Sequence, residues 1–126
     1  AGKALLAQFG VAVPRTATVR DADGVAQALK GLRLPVVVKV MSQDILHKSD
    51  AGGVRVNLGS ADEVRAAIAA MAALPGIKGA RIDGWLIEEM AAPGQEIVVG
   101  GLRDSQFGPI VIVGLGGIFV EVLADV

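Results

Sequence analysis

The sequence predicts an α+β fold, and three observations support that prediction. Helix-like and strand-like segments alternate irregularly up to residue 75, and four strand-like segments then follow with only a few residues between them. Connections this short suit antiparallel neighbours, because a parallel crossover takes a dozen or more residues. Helices that precede a run of strands are typical of α+β folds rather than of doubly wound sheets.

The first part of the chain predicts two helices and two strands. Residues 3–9 predict a short helix, and residues 14–19 predict a strand. Asp21 is a candidate N-cap for a second helix, whose apolar residues recur at helical spacing as far as Leu32. The valine-rich run "PVVVKV", residues 35–40, is typical of a strand buried on both faces.

The second part predicts a hairpin strand, one well-marked helix and an antiparallel meander. Residues 53–58 alternate as a returning strand does. Ser60 and Glu63 have the spacing of a capping box, and the helix that they begin is expected to end before Pro75. The residues expected to share one face of that helix are Val64, Ala67, Ile68 and Met71. The meander strands are predicted at residues 84–90, 95–102, 108–115 and 117–123.

Composition excludes several classes of protein. Twelve basic and 13 acidic residues nearly cancel, which gives no support for a nucleic-acid or anionic-membrane surface. The absence of cysteine excludes disulfides and thiolate metal sites and suits a reducing compartment, so a cytoplasmic location is expected. No apolar run reaches the roughly 18 to 20 residues that a membrane span requires.

The ends of the chain predict a part of a longer polypeptide. The sequence does not begin with methionine, and it stops within or just after the strand-like "FVEVLADV". We therefore expect residues 1–126 to form one domain that is incomplete at its C-terminal side. The hydrophobic fraction of 52% lies above the roughly 45–50% of ordinary domains, and the excess would then cover contacts with missing parts.

A polar loop, "HKSDAGGV", contains the single histidine of the chain. His47 has three interpretations: a surface residue, a metal ligand, or a nucleophilic imidazole that accepts a phosphoryl group. Metal binding is disfavoured because no second histidine or cysteine exists. Lys48 and the main-chain amides around Gly52 and Gly53 offer donors for an anion in the same loop.

Other charged residues lie within strand-like segments. Lys39 either extends its ammonium group to the surface or presents a fixed cation to a phosphate. Glu88 and Glu89 should point to opposite faces, so at most one of them shares a cleft face with Met90. They, like Glu96, are either exposed carboxylates or ligand-binding groups, because an unpaired charge in a strand interior is costly.

Together, "LLAQFGVAVP", "LPVVVKV", "DILHKSDAGGV", "WLIEEM" and "GQEIVVGGLRDSQFGPIVIVGLGG" resemble the ATP-grasp domain of NDP-forming acyl-CoA synthetases. That family includes ADP-forming acetyl-CoA synthetase and, more distantly, the nucleotide-binding subunit of succinyl-CoA synthetase. The resemblance covers nearly the whole chain. It implies an ATP-grasp fold and an acid–thiol ligase that interconverts acyl-CoA, ADP and phosphate with a carboxylic acid, CoA and ATP.

The resemblance also implies residue roles. Lys39 matches the lysine that contacts nucleotide phosphates, and the loop from His47 to Gly53 matches the mobile phosphate-side loop, with His47 in a phosphohistidine relay. Glu88, Glu89 and Met90 match the segment that receives adenine, and Glu96 matches a glutamate on the ribose side. The expected cofactors are ATP or ADP and Mg²⁺, with metal ligands beyond Val126. The expected partner is a CoA-binding domain or subunit, in an oligomeric assembly.

Two other functions remain open at this point. Similar regions are fused to protein lysine acetyltransferases, where they resemble regulatory ligand-binding modules without turnover. A purely structural or interaction piece is the third possibility, and the high apolar content is its only support.

Overall fold

The computed structural model describes residues 2–45 and 48–116 and confirms the α+β prediction. Its helices are α1 (Gly2–Gln8), α2 (Val25–Leu29) and α3 (Ala61–Ala72), with a 3₁₀ turn at Ala22–Gly24. Its strands are β1 (Thr16–Val19), β2 (Val36–Met41), β3 (Val54–Leu58), β4 (Gly84–Glu89), β5 (Ile97–Asp104) and β6 (Gly108–Leu115). The strand predicted at residues 117–123 lies outside the described residues. The chain divides into two compact units between Ala91 and Ala92.

The first unit is built on a four-stranded antiparallel sheet in the order β1-β4-β2-β3. The expectation that β4 begins a meander with β5 is wrong, because β4 pairs with β1 on one side and with β2 on the other. The physical reason is burial: Trp85 and Ile87 are buried, and so is Glu88 beside them. A strand buried on both faces belongs in the middle of a sheet.

Local hydrogen bonds begin two helical segments in this unit, and one of them is the cap that the sequence predicts. The Asp21 carboxylate accepts a hydrogen bond from the Asp23 amide at 3.0 Å, but it caps the 3₁₀ turn at Ala22–Gly24; the N-cap of α2 is Gly24, so the prediction that Asp21 caps α2 is wrong. The Ser60 hydroxyl accepts one from the Glu63 amide at 3.2 Å and caps α3. The Glu63 carboxylate reaches the amide of Gly59, at 2.8 Å, rather than that of Ser60. The Ser60 bond satisfies an amide of the first turn that the helix leaves free, and the Glu63 bond satisfies the amide of the residue before the N-cap.

The core lies between one face of the sheet and the helices. Val36, Val38, Val40 and Ile87 are fully buried there. Helix α3 adds the side chains predicted to share one face, namely Val64, Ala67, Ile68 and Met71. On the other face of β2, Val37 is buried while Lys39 and Met41 are half-buried. That second face is therefore open to a ligand.

The second unit contains a hairpin of β5 and β6, paired from Ile97 with Leu115 to Asp104 with Gly108. The Asp104 carboxylate closes the turn, since it accepts hydrogen bonds from the amides of Gln106 and Phe107 at 2.8 and 2.9 Å. These two bonds lower the pKa of Asp104.

None of the helices in the described residues is long and apolar enough to cross a membrane.

Candidate functional site: a cleft on the open face of the sheet

The open face of the first unit's sheet carries a cleft of about 330 Å³. Val37 lies opposite Glu88 in the register of β2 and β4, so Lys39, two residues further along, shares their face. The cleft is lined by Val37, Lys39, Val54, Val56, Glu88, Glu89, Met90 and Ala91. Its walls are thus largely apolar, with one ammonium group and two carboxylates among them.

Glu88 is the charged centre of this face. The residue is only 7% exposed, yet it carries a carboxylate. The Lys39 ammonium lies 3.1 Å from its Oε1 atom, and Lys3 of α1 forms an ion pair with Oε2. Burial, and then the nearby Lys39 charge, lower the pKa of Lys3. A buried carboxylate is tolerated because two cations compensate it.

Glu89 and Met90 lie where β4 ends. The main-chain amide of Arg33 donates to Glu89 Oε1 at 2.8 Å, and the amide of Asn57 lies 3.3 Å from the Met90 sulfur. Glu89 also lines a second cleft of about 260 Å³ with Arg15 and Arg33. Sequence analysis placed at most one of the two glutamates at the cleft. Both residues border the cleft, while the register keeps them on alternate faces, with Glu88 opposite Val37 and Glu89 opposite Val36.

The loop between β2 and β3 has a structural reason for its two glycines. Gly52 has φ 72°, a left-handed conformation that favours glycine. A Cβ atom on Gly53 would lie 2.4 Å from a methyl group of Val40. Their amides donate to the carbonyls of Ser49 and Lys48, at 3.0 and 2.7 Å. In this conformation an anion would have to displace those bonds, and the Lys48 side chain is half-buried.

Five predicted site residues are not placed at the cleft by the structure: Lys48, Gly52 and Gly53 belong to the loop between β2 and β3, and the other two are His47 and Glu96. His47 lies outside the described residues. Glu96 belongs to the second unit, where its main-chain carbonyl accepts a hydrogen bond from the Gly116 amide at 2.9 Å. The structure thus brings Lys39, Glu88, Glu89 and Met90 together at one cleft.

Sequence reasoning missed Lys3. It lies on a seven-residue helix whose described residues are all exposed, and it is separated from Glu88 by most of the first unit. No spacing or composition signal links the two positions. The contact between Lys3 and Glu88 can be recognised only in the folded chain, where β1 pairs with β4.

The chemistry of the cleft suits a ligand with an apolar ring and an anionic tail. Valine and methionine side chains offer dispersion contacts to a flat ring, and Lys39 offers a point charge to a phosphate. Among residues 2–45 and 48–116, no group of three or more His, Cys, Asp or Glu side chains is arranged to hold a metal ion. The prediction of metal ligands beyond Val126 remains a prediction.

Comparisons with known proteins agree on one family. The family model for the ATP-grasp domain matches residues 1–126. Acetate–CoA ligase [ADP-forming] I of Archaeoglobus fulgidus is 40% identical over 126 residues, which cover 99% of this chain and 18% of that protein. These matches confirm the resemblance seen in the sequence.

Solved structures give the same result. The dinucleotide-forming acetyl-coenzyme A synthetase 1 of Ca. Korarchaeum cryptofilum, in complex with coenzyme A, Ca-AMPCP and HgCl⁺, matches with a TM-score of 0.84 and 40% identity. That match covers 98% of this chain and 55% of the solved chain. Another structure of the same enzyme holds coenzyme A and Mg-AMPPCP, with its phosphohistidine segment pointing towards the nucleotide-binding site. It matches with a TM-score of 0.76 and 38% identity over 98% of this chain and 51% of that one.

The chain spans only part of each of these proteins, from 18% to 55% of their length. By their names, the two proteins are an ADP-forming acetate–CoA ligase and an acetyl-coenzyme A synthetase. They give no support to the regulatory alternative.

Proposed function

The chain belongs to the ATP-grasp domain family, and from this we propose that it forms the nucleotide-binding part of an ADP-forming acyl-CoA synthetase. The reaction of such an enzyme interconverts acyl-CoA, ADP and phosphate with a carboxylic acid, CoA and ATP. The observation that carries the proposal is the cleft itself. Lys39 lies on the same sheet face as a largely apolar wall, beside the Glu88–Met90 segment.

Adenine binding is assigned to the end of β4 and the neighbouring strands. Val37, Val54, Val56 and Met90 provide apolar surface for the two faces of a purine. Glu89 retains a carboxylate oxygen beyond the one that accepts from Arg33, and this oxygen is available to the exocyclic amine of adenine. Glu96 is proposed to contact the ribose.

Phosphate binding is assigned to Lys39, with Lys48 and the Gly52–Gly53 amides closing from the loop. Lys39 is half-buried beside apolar residues, so its charge acts on a phosphate with less screening than a fully exposed lysine would show. The loop amides now bond to loop carbonyls. They become available only when the loop changes conformation, which glycines permit.

His47 is proposed to carry the phosphoryl group between the CoA-binding partner and the nucleotide. In the direction of ATP synthesis, the bond between phosphorus and the imidazole nitrogen breaks as a terminal phosphate oxygen of ADP bonds to the same phosphorus. The imidazole lone pair is restored in that step, so no external oxidant or reductant is needed. Mg²⁺, when bound, would neutralise phosphate charge; its ligands are proposed to lie beyond Val126.

The expected partner, assembly and location are also proposals. We propose a CoA-binding domain or subunit as the partner, an oligomeric assembly and a cytoplasmic location. The solved relative that binds coenzyme A together with a nucleotide analogue supports the first of these, and the lack of cysteine supports the last.

The test of the proposed function is an assay for ATP in the natural full-length protein, supplied with acetyl-CoA, phosphate, ADP and Mg²⁺. We expect ATP to form and His47→Ala to abolish its formation, since alanine cannot accept a phosphoryl group. Lys78→Met is the control, because Lys78 lies on the surface away from the cleft residues. ATP synthesis at the wild-type rate by His47→Ala would remove His47 from the mechanism.

A further inference from the structure

Glu88 differs from the other residues of the cleft because it is a buried carboxylate held between two ammonium groups. Its side chain is 9% exposed, whereas those of Lys39 and Lys3 are 36% and 46% exposed. The two lysines come from different elements, β2 and α1, and reach different oxygens of the same carboxylate. Burying a carboxylate costs free energy of folding unless neighbouring cations compensate its charge, so its retention here suggests a role towards those cations.

The sheet register fixes the distance between Glu88 and Lys39. Val37 is paired with Glu88, and Lys39 with Leu86, on adjacent antiparallel strands. The Lys39 side chain has four rotatable bonds and many accessible conformers when free, which a ligand must restrict on binding. A carboxylate that already holds the ammonium group on the cleft face removes part of that entropic cost before the ligand arrives.

Lys3 supplies a counter-charge for Glu88 when the Lys39 ammonium group moves from Glu88 to a phosphate. Without a second cation, that movement would leave a buried carboxylate without a counter-charge. Lys3 pairs with Oε2 and Lys39 with Oε1, so the ion pair of Lys3 does not depend on the oxygen that Lys39 would leave. The two ammonium groups also repel each other, as the effect of Lys39 on the pKa of Lys3 indicates. Movement of Lys39 towards a phosphate relieves that repulsion.

We infer that Glu88 is a positioning residue: its carboxylate holds the Lys39 ammonium on the cleft face, and Lys3 compensates that carboxylate when Lys39 binds a phosphate. The inference rests on the proposed function and deepens it. It assigns Glu88 to the phosphate end of the site through Lys39, rather than to the adenine ring. It also adds α1, through Lys3, to the elements that shape the cleft.

The test compares binding of ADP and of adenosine to the same chain by titration calorimetry. We expect Glu88→Gln to weaken ADP binding about tenfold, the size of one charge-assisted contact, and to leave adenosine binding unchanged. This outcome is specific to positioning, because simple removal of a negative charge beside a phosphate would tighten ADP binding. In a Lys39→Met background, Glu88→Gln should no longer weaken ADP binding, because there is no Lys39 ammonium group left to position.

Lys3→Met provides a second variant, at the more exposed partner of Glu88, and in it Lys39 still compensates the carboxylate. It should weaken ADP binding and spare adenosine, while Lys78→Met, a surface lysine elsewhere, should change neither. The inference is overturned if Glu88→Gln binds ADP as tightly as the wild type, or if ADP and adenosine weaken equally. If the wild type binds ADP but the Glu88 and Lys3 variants do not show the expected losses, the inference fails and the proposed function stands. If the wild type binds neither ADP nor adenosine, the inference and the proposed function both fail.

Discussion

At the scale of single residues, the site depends on where the backbone allows close approach. Lys39 and Glu88 lie diagonally across β2 and β4, with Lys39 opposite Leu86 and Glu88 opposite Val37, and their side chains meet at 3.1 Å. At the far end of β4, Gly84 has φ 151°, and an added Cβ atom would lie 2.7 Å from the carbonyl oxygen of Val19. The strand that carries Glu88 therefore begins at a position that only glycine fits.

Gly84→Ala should destabilise the protein by about 1–3 kcal/mol, because a side chain there meets main-chain atoms in a conformation that L-residues rarely adopt. Chemical denaturation followed by circular dichroism measures the change. Gly31→Ala is the matched control, since nothing lies within 4 Å of its added Cβ atom and its φ is not positive. Equal stability of the two variants would show that the contact at Val19 relaxes without cost.

At the scale of elements, local signals predicted the start of α3 and most strand positions correctly, whereas Asp21 caps a 3₁₀ turn and not α2. Ser60 caps α3, and the residues predicted to share one face of that helix are the ones it buries. Pairing between strands was not predictable in the same way. Short spacing suggested that β4 and β5 are neighbours, whereas β4 lies between β1 and β2. Tertiary burial of Trp85 and Ile87 decides that position, and sequence spacing does not record it.

In the site, too, residues within local motifs were predicted, whereas a contact between segments distant in the sequence was not. Sequence predicted Lys39, Glu88, Glu89 and Met90 as candidates, and the structure brings these four to one cleft. It could not predict Lys3, because the partner of a lysine on an exposed helix is set by packing between distant segments. The role of His47 stays a prediction.

The stability of the β5–β6 hairpin should depend on pH through the carboxylate of Asp104. Because the amides of Phe107 and Gln106 bond to its carboxylate, the pKa of Asp104 in the folded hairpin lies below its usual value of 3.8. A depressed pKa stabilises the folded form above pH 3.8, and that contribution disappears as the pH falls towards the folded-state pKa. The turn should therefore weaken in acid.

An acid titration of the hairpin by NMR measures this effect through cross-strand contacts between β5 and β6. Asp104→Asn keeps an acceptor but cannot titrate, so the acid-induced loss should be reduced. Asp23→Asn, in the first unit, should leave the hairpin's response to pH as it is in the wild type. Identical pH responses of the Asp104→Asn variant and the wild type would contradict the role given to this carboxylate.

At the scale of the whole molecule, the two units differ in how fully they bury their own apolar residues. Every buried core residue in the described part of the chain lies between Val19 and Ile87, in the first unit. The hairpin leaves large side chains exposed, including Val99 at 69%, Phe107 at 80% and Val111 at 71%. A two-stranded hairpin is only marginally stable alone. The expectation that this surface contacts other parts of a longer polypeptide stays a prediction.

The cleft proposed to bind the nucleotide is lined only by residues of the first unit. Its apolar wall and the Lys39–Glu88–Lys3 group come from α1, β2, β3 and β4 and the residues that follow β4. The central claim is that a nucleotide binds here, with its ring on the valines and its phosphates on Lys39.

Methyl NMR of the chain titrated with ADP tests that claim most directly. We expect the methyl signals of Val37, Val54, Val56 and Met90 to shift together and to saturate, while those of the buried core residues Val25 and Val64 stay in place. Lys39→Met should require a higher ADP concentration for the same shifts. Saturable binding of ADP that leaves the cleft methyls unmoved, or no binding at all, would contradict the account.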